Sequence, residues 1–286
     1  MHFFAYICNG KQELFIHQHD INMIRLITLL ASALAVTIVT AQEMKIEVST
    51  PGTLHALVVN GQDVEGLTLT GTIDDSDLRF IRTLPNLKKI DMHKLKNKEL
   101  GDSAFFGMTT LEYARLPKKL VRLGRSAFEG CVNLSNIQFS YYMEAIPDQM
   151  LKDCASLDKI NIYNSHILSI GKGAFMNSGV RIIPLPQQLQ SIGMTAFANC
   201  ARLEQIRLPK WVMEIGPLAF ANCKMLRSIE VRSETPPECA PDAFDGLDKC
   251  KLSVIHPELF RDRYPWSKIN LDYNEYNGNE LKMTKN

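Results

Sequence analysis

The chain has 286 residues, 45% hydrophobic and 22% charged, the balance of a globular protein long enough to bury a substantial core. Thirty-two Lys and Arg against 31 Asp and Glu leave a formal charge of +1, so no overall basic field exists to hold nucleic acid or an anionic membrane. Gly at 16 and Pro at 13 are near average usage, which excludes collagen-like and low-complexity chains.

Residues 1–22 mix Lys11, Glu13 and Asp20 and fit no export pattern, so they read as a misassigned upstream segment with Met23 as the initiator. His17 and His19 form an H-x-H, short of the three or four protein ligands that a zinc site draws. From Met23, Arg25 precedes an apolar run from Leu26 to Val39, and Val39-Thr40-Ala41 offers the small residues that a signal peptidase reads. Residues 23–41 are therefore expected to be a secretory signal peptide cleaved after Ala41. The rival is a retained anchor, since about 18 to 20 apolar residues can span a bilayer, but the Thr-rich, small-residue exit favours cleavage. No stable membrane span is expected after its removal.

The remainder is a repeat. Ala-Phe pairs stand at Ala104-Phe105, Ala127-Phe128, Ala174-Phe175, Ala196-Phe197, Ala219-Phe220 and Ala243-Phe244, with Met150-Leu151 filling the one gap. Successive spacings of the second residue are 23, 23, 24, 22, 23 and 24. Within a unit, Leu203, Ile206 and Leu208 sit where a short strand turns them inward, while Gln205 and Arg207 point out. Pro209 then turns the chain, Val212 and Ile215 supply a second inward pair, and Ala219-Phe220-Ala221-Asn222-Cys223 is expected to begin a short helical or 3₁₀ turn with Phe220 as a plug. One rung cannot bury its own apolar edge, so neighbours must stack at about 4.8 Å per strand.

Leu185-Pro186, Ile192-Gly193, Ala196-Phe197, Cys200, Leu203, Ile206 and Leu208 spell a sentence that resembles the BspA-type leucine-rich repeat of bacterial surface proteins, over about residues 67 to 256. The fold this implies is an α/β repeat solenoid, a leucine-rich-repeat stack of about seven 23-residue rungs between two caps. Its parts are 42–92 as amino-terminal cap and first rung, 93–232 as repeats, 233–270 as carboxyl-terminal cap and 271–286 as a flexible tail. Pro51-Gly52-Thr53-Leu54 and the helix signal at Asp77-Leu78-Arg79-Phe80-Ile81 resemble the family's amino cap. The stretch from Cys250 to Pro257, with Tyr264, Trp266 and Ile269, resembles its closing strand and terminal helix. Two rungs depart from the pattern. One has Pro147 for Gly and Met150-Leu151 for Ala-Phe; the next gains a residue between Ile162 and Ile170, loses one between Phe175 and Val180, and carries Ser178 at the Cys position.

Cys131, Cys154, Cys200 and Cys223 share one repeat position and read as a ladder of buried thiols, because parallel Cβ vectors do not easily give a disulfide's dihedral angle. Cys239 and Cys250 stand outside that ladder; they are a candidate disulfide stapling the carboxyl cap, although spacing alone cannot establish the connectivity. Asp74, Asp75 and Asp77 open the cap helix and read as capping residues. No Ser-His-Asp order, H-E-x-x-H, phosphate loop or G-x-S-x-G occurs, so neither an enzyme, a metal site nor a cofactor is expected.

Function must then lie on a surface. The strand face presents two outward columns, the first of Lys89, Tyr113, Asn136, Lys159, Ile182, Gln205 and Ser228, the second of Asp91, Arg115, Gln138, Asn161, Pro184, Arg207 and Glu230. Their side chains other than Ile182 and Pro184 are the candidate ligand-binding residues, with Tyr113, Arg115 and Arg207 foremost because Tyr and Arg are enriched at interface hot spots. The partner expected is a protein or peptide, on a host or bacterial surface, bound by a monomer that is secreted, held at the cell surface or resident in the periplasm. The resemblance adds adhesion as a role. A stalk-like structural module and a carbohydrate binder are the alternatives, the latter set back by a single aromatic, Tyr113, in the columns. The mature protein is expected to begin near Gln42. Amino-terminal sequencing of material exported by the native host checks this, and a mature start upstream of Met23 contradicts it.

Overall fold

The computed structural model describes residues 42–158, 160–247 and 250–269. The upstream segment, the signal peptide, Cys8, Lys159 and the 271–286 tail lie outside the described residues.

A chain that carries short apolar alternations separated by turn signals every 23 residues finds backbone partners only in the turns above and below it. The outcome is a parallel β-solenoid of about nine turns with little helix. Its front wall opens with five parallel strands, Gln42–Val48, Val64–Gly71, Lys89–Leu95, Tyr113–Arg115 and Asn136–Gln138, and resumes with Gln205–Leu208, Ser228–Val231 and Lys251–Val254. A side wall is built from the second inward pair of each repeat. Ala145–Ile146, Ser169–Ile170, Ser191–Ile192, Glu214–Ile215 and Glu238–Cys239 form one parallel sheet there, and Glu99–Leu100 pairs with Arg122–Leu123. Gly124 enables the close approach of adjacent turns after the side wall, since a Cβ on it would lie 2.3 Å from the Asp102 nitrogen. Front-wall pairing follows the 23-residue register: Ile206 faces Ile229 and Ile229 faces Leu252, all three buried, while Gln205 faces Ser228.

The Ala-Phe segment is not the helical turn that the sequence leads one to expect. It forms a third wall in which alternate N–H groups leave the turn altogether. Ser126, Phe128 and Gly130 donate to the carbonyls of Asp148, Met150 and Lys152 in the next turn at 2.9 Å each, while Glu129 and Cys131 donate back within their own turn to Ser126 and Phe128. A left-handed residue stands at each end of the segment: Ser126 and Gly130, Gln149 and Asp153, Thr195 and Asn199, Leu218 and Asn222. A non-glycine residue costs roughly 1–2 kcal/mol in that conformation, and the inter-turn hydrogen bonds it enables offset this. Asn tolerates it best, and at this position Asn177 donates its amide to Asp153 (2.7 Å), Asn199 to Asn177 (3.0 Å) and Asn222 to Asn199 (3.2 Å). The Met150-Leu151 turn keeps the same pattern, with Leu151 N–H on Ala174 at 2.8 Å, because the wall is made by backbone.

Behind this wall the plugs stack. Phe175, Phe197, Phe220 and Phe244 lie face to face with centroids 5.0, 5.2 and 5.6 Å apart, and Phe105 stacks on Phe128 at 4.8 Å; buried Leu151 separates the two runs. Trp266 closes the row 5.1 Å beyond Phe244, its indole N–H on the Pro237 carbonyl at 3.2 Å, with Phe260 against its other side. The expected cap residues thus divide, since Trp266 and Ile269 are buried whereas Tyr264 is exposed.

At the other end the strand Gln42–Val48 pairs with Val64–Gly71 and extends the stack beyond the cap rung read from sequence. Two short helices follow it, α1 (Leu54–Leu57) and α2 (Asp75–Ile81). Asp74 caps α2 and Asp77 completes a capping box. Asp77 is buried and accepts N–H bonds from Gly52 (2.7 Å), Leu54 (2.9 Å) and Asp74 (3.1 Å), tying the loop before α1 to α2.

The ladder cysteines are buried and free, and each donates its thiol to a Phe carbonyl of the preceding turn: Cys131 to Phe105, Cys154 to Phe128, Cys200 to Phe175 and Cys223 to Phe197, at 3.0 to 3.2 Å. Burial pushes the Cys131 thiol up to about 12, well away from thiolate chemistry. The staple considered for Cys239 and Cys250 is not formed, both being free thiols. Cys239 takes an inward side-wall position paired with Ile215, whereas Cys250 leads into the closing front strand, so the two belong to different walls of the last turn.

Truncating one plug should open a stretch of the stack. Phe197→Ala is expected to cost about 3–5 kcal/mol and to raise amide exchange in the turns holding Phe175 and Phe220, because nearest neighbours are coupled. Denaturant melts with hydrogen exchange check both.

Candidate functional site

The two outward columns exist wherever the front wall is paired. Lys89 faces Tyr113, Tyr113 faces Asn136, and Gln205 faces Ser228; Asp91 faces Arg115, Arg115 faces Gln138, and Arg207 faces Glu230. Lys159 lies outside the described residues, and Asn161, Ile182 and Pro184 fall in an interruption of the wall. Across that interruption the inward residues Ile160, Ile162, Ile183 and Leu185 stay buried, but among the described residues the strand pairing of the front wall shrinks to an isolated bridge, Ile182 with Gln205. Pro184 has no N–H to give a ladder, and its turn is the one adjoining the irregular repeat. The core continues while the surface above it loses its regular pleat.

A groove of about 300 Å³ lies there. Ile182 and Pro184 form its apolar part, Gln187 and Gln205 bring amides, Arg207 flanks it, and Tyr163 stands at its rim. This concave mixture of apolar surface and a few polar groups is what a ligand site requires.

Most charges of the columns are already engaged with one another. The Asp91 carboxylate accepts the His93 backbone N–H at 2.8 Å and faces Arg115 at 3.5 Å. Burial and the Arg115 guanidinium hold His93 below the usual imidazole range, so the ring there adds no positive charge at neutral pH. Glu230 departs from its expected role. Although the alternation points it outward, it is only 8% exposed, clamped between Arg207 at 3.0 Å and Arg232 at 2.8 Å. It is a structural anion that positions two guanidinium groups beside the groove, rather than an open ligand contact. Arg207 itself stays exposed. What remains for a partner is a nearly neutral face of Tyr113, Asn136, Gln138, Asn161, Gln205 and Ser228, with Lys89 at one end.

Sequence reasoning missed Tyr163 and Gln187. Neither belongs to the columns; they sit at the corner where the front wall turns, Tyr163 at the position filled by Pro117, Pro186 and Pro209 in regular turns. The signal available was that substitution, in the same repeat that compensates its length. Among the described residues no group of three or more His, Cys, Asp or Glu is arranged to hold a metal, and no helix is long and apolar enough to cross a membrane.

Comparison with known proteins agrees with this architecture. The sequence model for the BspA type leucine-rich repeat region matches residues 79–181 and 168–262 in six copies, and the chain belongs to that family of repeat proteins. Among solved structures it is similar to a leucine-rich cell surface protein of Faecalibacterium prausnitzii, at 20% identity over 67% of this chain and 61% of that one, with a TM-score of 0.39. A leucine-rich repeat protein of T. pallidum is 28% identical over 49% of this chain and 55% of that one, with a TM-score of 0.33. One from Bacteroides ovatus is 17% identical over 55% and 58%, with a TM-score of 0.34. The chain thus spans about three fifths of the length of these three solved chains. No match is found among curated proteins.

Because Glu230 keeps Arg232 when Arg207 is removed, Arg207→Ala should destabilise by only about 1 kcal/mol, the low end for unpairing a buried group. Glu230→Ala, which removes the carboxylate that Arg207 and Arg232 share, should also change the salt dependence of the melt. Thermal melts of the two variants at low and high salt check this.

Proposed function

We propose that the protein is exported by its 23–41 segment and works outside the cytoplasm as a non-enzymatic interaction protein that binds a protein or peptide through the front wall, in surface contact or adhesion. The observation that carries this reading is the groove at Ile182 and Pro184, opened in a face whose charges are largely self-paired and whose remaining side chains are mostly amides and hydroxyls. Amides both donate and accept, so they can follow the alternating N–H and C=O groups of an extended backbone. The platform is rigid, which lowers the ordering cost of recognition. Membership of a family of repeat proteins supports a binding role, and the description of the Faecalibacterium protein as a cell surface protein supports a location at the envelope.

The site is best probed with residues that bear no buried partner. Once a partner is recovered by pull-down, Tyr113→Ala combined with Gln205→Ala is expected to weaken it at least tenfold while leaving the thermal midpoint unchanged. Undiminished binding by this variant, with loss on substituting the Asn177, Asn199 and Asn222 row, would place the site on the turn wall instead. Protease shaving of intact cells of the native host tests the location.

A further inference from the structure

Aromatic side chains are distributed unevenly in this solenoid. Phe105, Phe128, Phe175, Phe197 and Phe220 are wholly buried, whereas four of the six exposed large aromatics among the described residues gather at one place, the corner that follows the front wall: Tyr141, Tyr142, Tyr163 and Trp211. Regular turns use Leu-Pro there, as in Leu116-Pro117, Leu185-Pro186 and Leu208-Pro209. In the two irregular turns the proline is replaced by Ser140 and Tyr163. The corner contributes no plug to the core, so packing does not account for these rings.

They are held in place from outside the core. The Tyr141 ring meets Tyr142 edge-on at 5.4 Å and His166 edge-on at 4.3 Å, and the His166 Nδ1 lies 3.1 Å from the Tyr141 carbonyl. The Lys210 ammonium sits 4.7 Å from the Trp211 ring and fixes the indole by a cation–π contact, although Trp211 is 56% exposed. Between Tyr141, Tyr163 and Trp211 lies a cleft of about 480 Å³, whose other walls are Asn164, Ser165 and the Gln187 and Gln188 pair. The Gln188 amide N–H donates to the Ser165 carbonyl at 3.3 Å, which orients its oxygen as an acceptor.

The chemistry of this lining is selective. Every side chain lining it is uncharged, and the nearby Lys210 ammonium is engaged on the Trp211 ring, so the cleft itself presents no counter-charge to a phosphate, a carboxylate or a basic peptide. Three carboxamides can each donate and accept, and the Ser165 hydroxyl, whose proton goes to the Ile162 carbonyl at 2.6 Å, can accept, which suits vicinal hydroxyl groups that do both. Tyr and Trp faces supply flat apolar area for a ring that is polar at its rim and C–H-rich on its face. Preset rings lower the entropy lost on binding. A proline-rich peptide would also use aromatic faces, but it offers carbonyl acceptors only and would leave the amide oxygens without partners.

We propose that this corner is a binding site for a neutral oligosaccharide, stacked on Tyr163 and Trp211 and hydrogen-bonded by Asn164, Gln187 and Gln188. The site is separate from the front-wall interaction and does not rest on it, although Tyr163 and Gln187 lie on the boundary of both grooves.

The chain has two tryptophans, and the other, Trp266, is buried in the cap, so a ligand-induced change in emission reports on Trp211 against a constant Trp266 background. Maltohexaose, cellohexaose, laminarihexaose and mannohexaose would be titrated against the 42–286 protein by fluorescence and calorimetry, with a deca-proline peptide in parallel. At least one oligosaccharide is expected to shift Trp211 emission saturably and to give a matching binding isotherm. Trp211→Ala and Gln188→Ala, which line this cleft and not the front-wall groove, should each weaken that isotherm at least tenfold; Tyr163→Phe should retain most of it, and the remote Lys224→Ala all of it. The proposal is overturned if none of the four sugars binds at millimolar concentration, if binding survives Trp211→Ala combined with Gln188→Ala, or if the deca-proline peptide alone binds with those residues required. Circular dichroism of each variant separates loss of the site from loss of fold.

Discussion

Backbone hydrogen bonds between turns, rather than within them, hold this molecule together. A turn of about 23 residues contains too little apolar surface to fold alone, and each of its three sides leaves N–H and C=O groups pointing along the stack axis. Stacking satisfies those groups and buries the apolar edges in one step. For this reason the backbone pattern tolerates Leu151 in a phenylalanine row and Pro147 at a glycine position. Side chains fill the interior, but the ladders set the spacing at which they do so, and the face-to-face approach of Phe175, Phe197 and Phe220 is a consequence of that spacing.

Much of this was legible in the residues, because inward positions recur at a fixed period and the period fixes which side chains lie above one another. The plugs and the column register follow from that rule, the Asp74 and Asp77 caps from carboxylates at the start of a helix, and the cap role of Trp266 from the family resemblance. The conformation of the Ala-Phe segment does not. An apolar pair bounded by polar residues satisfies a helical turn and a left-handed arch equally, and only the hydrogen-bond demand of the neighbouring turns decides between them. Burial of Glu230 escaped the alternation rule for a different reason: the rule assigns a side chain to a face without weighing the opposite charges beside it. Arg207, one repeat earlier, and Arg232, two residues later, were visible in the chain, and together they draw the carboxylate flat against the wall.

The irregular repeats connect fold to function. Where the turn around Tyr163 changes its length and the next places Pro184 in the front wall, pairing lapses while the interior stays filled. A regular wall offers little concavity for a partner to enter. The lapse creates a hollow on the front face, and the missing corner proline lets a tyrosine stand at its rim. Deviations from the repeat that look like decay in the sequence are thus the places where the surface acquires individuality.

The turn wall has one more property. In a parallel strand ladder successive N–H groups point alternately up and down the stack, so peptide dipoles cancel. In the turn wall the inter-turn donors all point the same way, from Ser103, Phe105 and Gly107 through to Phe220 and Asn222, each toward the carboxyl-terminal end. One edge of the solenoid is therefore electrically polarised along its length, in the manner of a helix lying along the axis. Its two ends are matched to that polarity. At the negative end the Arg82 guanidinium donates to the Ser103 carbonyl, which also accepts the Phe106 N–H of its own turn, and near the positive end the Leu218 N–H is met at 3.2 Å by an Asp242 carboxylate oxygen instead of a backbone carbonyl. Shortening the stack at either end would strip away a charge that terminates the dipole, so the caps serve an electrostatic role as well as covering the apolar interior.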